Sequence, residues 1–461
     1  MNRIFKHSAP ALGLLGLALG GCQPNIDAPA AAAGSADFTS YVAVGNSLTS
    51  GYSDGGLYNE AQATSYPAIL AQQFAKTGKG PTSFVQPAFA PAQEDGSGHI
   101  KLQVVNGALA PVVPSAANSF LGEKLALTGA QLVSGQFQLA AYSGAQPDNL
   151  GVPGISVLSS LSALTNGLAP YGLLNPFYER LLTAAEKPSK DYVTYIGQKT
   201  PTFFTCWMGN NDVLTYASNG GVANAADPFS NLTDTTRFGI GYRAILGTIS
   251  KRGTVAGVVA NIPNVTGIPY FTTVPVATVI ASIKANPQLP NAAAASLYIT
   301  TGTGTVRVAT SADLLTLTAQ AVIGAASGTA NPLPVGVGYS ATQSNPLPSK
   351  YVLDEAEIAT VVARTTQLNA IIAKTARQNK VALADMNTFF TTVAQQGVAV
   401  NAVANSAVFV SGNLFSLDGV HPTPRGYALV ANEFIRNINS YYSSSIPSVN
   451  PNEYRGVVFP Q

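Results

Sequence analysis

Short, wholly apolar runs alternate with longer amphipathic stretches along this chain. Tyr41 to Val44 is the first such run, and its length and flanks predict a strand. Ser65 to Ala75 keeps its apolar residues to one face and carries Pro67 in its first turn, which predicts a helix. Thr202 to Met208 predicts a second strand. Phe238 to Arg252 reads as a helix, and Thr254 to Asn261 is a continuous apolar run suited to a central parallel strand. Leu353 to Gln378 is the clearest helix: acidic residues open it, and Lys374 and Arg377 close it, in the sense that complements the helix dipole. Val381 to Met386 predicts a further strand and Tyr427 to Tyr441 a closing helix. This order of elements is that of an alternating α/β domain.

Two stretches break the rhythm. Residues 80–145 are irregular, with several prolines and glycines, and residues 270–350 are rich in Thr, Ala, Gly and Pro. Neither carries a long hydrophobic pattern of its own. Both therefore read as insertions in one domain spanning residues 38–445, and loops of this length often serve as lids or rims. Residues 446–461 read as a C-terminal tail. No repeat of fixed period is present.

The first residues read as a leader. Arg3 and Lys6 precede the apolar stretch Leu12 to Leu19, which is shorter than the roughly 20 residues that a bilayer span needs. Leu19-Gly20-Gly21-Cys22 then has the form of a lipobox, so that residues 1–21 would be removed and Cys22 acylated. An ordinary secretory signal is the competing reading. Residues 22–37, with their run of Ala, Pro and Gly, read as the lipidated cysteine and a flexible tether. Gln23 follows the cysteine in place of the aspartate that often retains lipoproteins in the inner membrane. The expected location is thus the cell envelope, anchored to the outer membrane.

Composition narrows the partners. The net charge is +2, which the two leader cations account for, and charged residues make up 10%, against about a quarter in ordinary domains. A nucleic-acid partner would require a basic patch. The second cysteine, Cys206, lies in an apolar strand and reads as a packed, inert thiol, so no disulfide framework is expected. The ten-residue alternation of an outer-membrane barrel is missing, because several long segments are helical. No His-Glu-x-x-His or other zinc spacing and no phosphate-binding glycine loop appear, so neither a metal nor a cofactor is expected. Oligomeric state leaves no sequence signature.

The chemistry lies at the two ends of the chain. Gly45-Asn46-Ser47-Leu48 follows the first strand, and Asp418-Gly419-Val420-His421 lies near the C-terminus. A serine needs a base within hydrogen-bond reach, and the base needs an orienting group. Outside the leader only His99 and His421 are available as the base. Asp and His three residues apart can meet on one local turn. Each residue also has a plain structural alternative. Ser47 suits a turn or N-cap, Asn211-Asp212 suits a turn after a strand, and His421 suits a solvated loop. Gly51-Tyr52-Ser53-Asp54-Gly55 has the Gly-x-Ser-x-Gly form, but that elbow works only directly after a strand, where Ser47 already sits. Gly338-Tyr339-Ser340 lies in an insertion. His99, beside Gly98, reads as a surface residue, and Trp207 as a core or pocket-wall aromatic.

Four segments in order, Gly45-Asn46-Ser47-Leu48, Asn149-Leu150-Gly151-Val152-Pro153-Gly154, Gly209-Asn210-Asn211-Asp212 and Asp418-Gly419-Val420-His421, resemble the four sequence blocks of the SGNH hydrolases, also called GDSL esterases and lipases. The resemblance runs from about Phe38 to about Tyr441, apart from the two insertions. It implies a three-layer α/β/α sandwich with a doubly wound, mostly parallel, flavodoxin-like sheet. It implies Ser47 as nucleophile, His421 as general base and Asp418 as its orienting acid. Gly154 and Asn211, with the Ser47 amide, would form the oxyanion hole, which must offer N–H donors to the charge that develops on the carbonyl oxygen. The departure is Asn46, where the family carries Asp. The implied substrate is a carboxylic ester, with lipid acyl esters favoured by the apolar insertions and the membrane reached through the anchor. A carbohydrate acetylesterase, an acyltransferase, and a non-catalytic surface-binding lipoprotein with a vestigial site are the alternatives.

Overall fold

The computed structural model describes residues 30–113, 123–128, 138–162, 175–224, 227, 229–326 and 331–460. Five parallel strands form the central sheet: β1 Tyr41–Gly45, β2 Asn149–Gly151, β3 Phe203–Trp207, β4 Ala256–Ala260 and β5 Ala382–Ala384. Their spatial order is β2-β1-β3-β4-β5, the doubly wound flavodoxin-like order. The chain reverses its direction of travel across the sheet between β1 and β3, so the carboxyl ends of these two strands flank the crevice in which such sheets hold their ligands.

Alternation along each strand divides the core into two layers. Val42 and Val44 face one side with Phe204, Cys206 and Val259, beneath helices α4 (Thr235–Ile249) and α7 (Glu355–Gln378). Tyr41 and Ala43 face the other with Phe203, Trp207, Val258 and Ala260, beneath α2 (Tyr66–Ala75) and α8 (Pro424–Tyr442). The result is the expected α/β/α sandwich.

The expected elements are present with shifted ends, and side-chain caps explain the shifts. Helix α4 begins three residues before Phe238, because Asp234 accepts hydrogen bonds from the Thr236 and Arg237 amides. Helix α7 begins at Glu355 behind a capping box in which Asp354 and Glu357 satisfy each other's amides. Helix α8 begins at Pro424, a favoured first helical residue, with Thr423 as its cap.

Residues 270–350 show no long hydrophobic pattern, yet they hold a small core of their own. The short helix α5 (Pro269–Thr272) leads into helix α6 (Val276–Lys284), which packs on a three-stranded antiparallel sheet of Ser296–Thr300, Val306–Val308 and Val337–Gly338, and Ile283, Leu297, Ile299, Leu315 and Leu347 form a separate small core. Its elements are short and their apolar residues few, so the periodic signal is weak. Within 80–145 the described residues include the hairpin Lys101–Val105 with Ala108–Val112, turned by Asn106-Gly107 with both residues at positive φ.

The described end of the expected flexible tether is packed, and so is the C-terminal tail. Ala33 and Ala36, from the expected tether, are buried against the end of α8, where Ser35 donates to the Tyr442 carbonyl. The C-terminal tail lies on the body through buried Ile446, Pro451 and Val457. Small side chains made the first segment look flexible, yet small side chains are what a close helix contact accommodates. Cys22 lies outside the described residues. No described helix is long and apolar enough to cross a membrane.

Candidate active site

Strand β1 runs directly into the short helix α1 (Ser47–Ser50), so Ser47 stands at the carboxyl edge of the sheet. Asn46 makes this turn. Its Oδ1 accepts the Leu48 amide at 3.1 Å, and its carbonyl accepts the amides of Thr49 and Ser50. The family aspartate would serve the same cap; asparagine does so without placing a carboxylate in a fully buried position. Its Nδ2 has no hydrogen-bond partner among the described residues.

His421 arrives from the loop that precedes α8. Its Nε2 lies 2.8 Å from Ser47 Oγ, and its Nδ1 lies 2.8 Å from Asp418 Oδ2. A carboxylate on Nδ1 fixes the proton there and leaves Nε2 as an acceptor for the serine hydroxyl. Asp418 is held by five hydrogen bonds. Oδ1 accepts from the amides of Val420 and His421 and from Ser416 Oγ; Oδ2 accepts from the Gly55 amide and His421 Nδ1. Burial acts to raise its pKa, but the His421 ring and these donors overcome that effect and bring the carboxyl down to about 2.

The expected oxyanion residues come from two further strand ends. Gly151 closes β2 tightly against α1, since a Cβ there would sit 2.3 Å from the Ser50 nitrogen. Gly154 adopts φ +78°, a conformation that side chains disfavour. Space is not its constraint, because a Cβ would meet only Asn175 Nδ2 at 3.6 Å. Beyond β3, helix α3 (Asn211–Ser218) begins with Asn211, whose Nδ2 donates to the Ile155 carbonyl at 2.8 Å. An amide nitrogen carries two protons, so one donor remains. Neither the Ser47 nor the Gly154 amide donates a hydrogen bond within the described residues.

Sequence reasoning treated Asp212 only as a turn residue, and the structure gives it more to do. It is fully buried, and its carboxylate accepts the amides of Val157 at 2.7 Å and Leu158 at 3.3 Å. It thereby fastens the loop carrying Gly154 to α3. Burial pushes its carboxyl up to about 6 against those donors.

Other candidates fall outside this cluster. Ser53 is buried and donates to the Pro422 carbonyl at 3.0 Å, so the Gly51–Gly55 segment supports the His421 loop and does not offer a nucleophile. His99 is half-buried, stacked on Tyr58 with ring centroids 4.0 Å apart, which corrects its reading as a surface residue. Trp207 packs in the core with Tyr66 and Phe434. Burial pushes the Cys206 thiol up to about 12, which keeps it inert. Tyr52, unremarked in the sequence, lies against the His421 ring at 4.7 Å between centroids.

Residues 272–434 match the profile of the GDSL-like lipase/acylhydrolase family. That stretch contains Asp418 and His421, and it begins after Ser47, Gly154 and Asn211. No curated protein matches the chain. In structure it is similar to an extracellular lipase from Streptomyces rimosus, with 13% identity, 87% of this chain and 99% of that one covered, and a TM-score of 0.32. Over residues 272–434, about a third of its length, the chain is thus similar to the GDSL-like lipases and acylhydrolases.

Proposed function

We propose that the chain hydrolyses carboxylic esters through a Ser47–His421–Asp418 triad and an acyl-enzyme. The observation that carries this reading is the unbroken contact from Ser47 Oγ to His421 Nε2 and from His421 Nδ1 to Asp418 Oδ2, both at 2.8 Å. His421 takes the hydroxyl proton as Ser47 attacks the ester carbonyl. The oxyanion that forms is met by the amides of Ser47 and Gly154 and by the second Asn211 amide proton. His421 then returns the proton to the leaving alcohol, and a water activated by the same imidazole releases the acid.

The substrates we propose are esters with apolar acyl groups. Leu102 of the hairpin packs on Leu417, beside Asp418, while the same hairpin exposes Val104 and Leu109 to solvent. An exposed apolar surface on the element that packs beside Asp418 suits such a ligand. We also propose that Cys22 is the lipid anchor of an outer-membrane protein. Residues 33–36 pack at the far end of α8, roughly 28 Å along that helix from the His421 loop. The described start of the chain is therefore remote from the site.

The test is p-nitrophenyl ester turnover across acyl chain lengths, beside acetate release from acetylated glycans, with wild type and Ser47→Ala. Wild type should label with a fluorophosphonate at Ser47, and Ser47→Ala should lose on the order of 10⁶-fold in kcat. Unlabelled native protein would end the triad reading. Glycan deacetylation without turnover of longer esters would replace the substrate class.

A further inference from the structure

The residues that follow α1 form a seat for the loop that carries the acid and the base. Asp54 and Gly55 are the central pair of a two-residue turn, both at positive φ, closed by paired hydrogen bonds between Ser53 and Gly56. From this turn Ser53 Oγ holds the Pro422 carbonyl, and the Gly55 amide holds Asp418 Oδ2. Asp54 makes the central contacts. Its Oδ1 accepts the Leu417 amide at 3.0 Å, and its own amide donates to Ser416 Oγ at 2.8 Å. That hydroxyl donates in turn to Asp418 Oδ1 at 3.1 Å.

We propose that Asp54 is a positioning residue for the Asp418–His421 couple, and that Arg455, from the C-terminal tail, is the counter-charge that makes a second buried carboxylate tolerable there. The proposal rests on the triad reading and extends it. Asp54 is 5% exposed and one hydroxyl away from Asp418. Two close carboxylates oppose each other's ionisation. Asp418 must stay ionised to steady the imidazolium, so the Asp54 charge needs an offset. Arg455 supplies it. Its Nη1 is 3.9 Å from Asp54 Oδ2, and its Nη2 donates at 2.9 Å to Tyr58 OH, which itself donates to Asp54 Oδ2 at 2.9 Å. Glu60 holds the guanidinium from the solvent side. The tail therefore contributes charge to the site, beyond covering the core.

The experiment uses the full chain carrying Asp54→Ala, Asp54→Asn, Arg455→Met, and Arg455→Met with Asp54→Asn, and reads kcat, KM and melting temperature. Asp54→Ala should lower kcat by about 100-fold at unchanged KM, as a displaced base does. Asp54→Asn keeps an acceptor for Leu417 and should lose less than tenfold. Arg455→Met should lower kcat by about tenfold, and adding Asp54→Asn should restore it to the level of Asp54→Asn alone. A tail residue that merely fastens the chain would not be rescued by neutralising Asp54. Equal kcat in Arg455→Met and the double variant would overturn the counter-charge role, and wild-type kcat in Asp54→Ala would overturn the positioning role. Fluorophosphonate labelling of wild type at Ser47 separates either failure from failure of the triad reading itself.

Discussion

Asp418→Asn changes almost no volume and tests the site severely. The wild-type carboxylate accepts five hydrogen bonds, three on Oδ1 and two on Oδ2. An asparagine has one acceptor oxygen. With that oxygen toward Val420, His421 and Ser416, its NH₂ faces the Gly55 amide and the imidazole. The imidazole must then turn an acceptor toward it, which moves the ring proton to Nε2. A protonated Nε2 faces Ser47 as a donor and cannot take the hydroxyl proton. Flipping the amide would strand the two backbone amides of Val420 and His421, against one, that of Gly55, in the first arrangement, so the first arrangement prevails. The expected loss in kcat is about 10⁴-fold, or about 5.5 kcal/mol of transition-state stabilisation. The same carboxylate also sets a stability window. Its folded pKa of about 2 lies below the ordinary value near 3.9, so the folded state binds this proton less tightly. The contribution, about 2–3 kcal/mol, is fully present above roughly pH 4 and is lost as pH falls through 2. Steady-state hydrolysis of p-nitrophenyl acetate measures the first effect, and urea unfolding at pH 5 and pH 2.5 the second. A kcat within tenfold of wild type, or the same acid loss of stability in both proteins, would refute the reasoning.

Gly154→Ala forces a Cβ into a left-handed conformation, at about 1–2 kcal/mol, while meeting no close neighbour; kcat should fall about 10–100-fold with a small change in melting temperature, and an unchanged kcat would remove this amide from the oxyanion role. Asp212→Ala leaves two buried amides without an acceptor and should cost about 2–5 kcal/mol in urea unfolding. Because the wild-type carboxyl is raised to about 6, its favourable contribution is greatest below roughly pH 4 and declines as pH rises through 6, so the deficit of Asp212→Ala should be wider at pH 4 than at pH 7 by about 2–3 kcal/mol. A deficit that widens toward pH 7 would contradict this sign.

The sheet was legible because its strands are buried on both faces and read as unbroken apolar runs, as in Phe203–Trp207 and Ala256–Ala260. Strand β2 escaped because it has three residues and lies at an edge, within a segment read for its glycines. The insertion core escaped because elements of two to five strand residues carry too little period to register. Start signals were present at Asp234 and Thr423, each for a helix that periodicity alone begins three residues late, and Asn106-Gly107 is a turn signal within a stretch that reads as irregular.

Within the site, legibility followed the range of the interaction. Asp418 and His421 pair within one turn, so their spacing is visible in the chain itself. Ser47 was visible because the strand before it ends two residues earlier. The support beneath them is not local. Asp54 contacts Leu417 across 363 positions, and Ser53 reaches Pro422 across 369. Only the Asp54-Gly55 pair left a trace, as a dipeptide suited to a tight turn. That turn sits inside the Gly-x-Ser-x-Gly pattern, where attention falls on the serine hydroxyl. The structure moves the weight to the aspartate beside it, because a turn with both central residues at positive φ presents the Asp54 carboxylate and the Gly55 amide together to the segment from Ser416 to Asp418. A surface turn of the same sequence would show two freely solvated groups. Here the Asp54 carboxylate and the Gly55 amide are both bonded to the loop that orients His421, and that pairing marks the turn as part of the machinery.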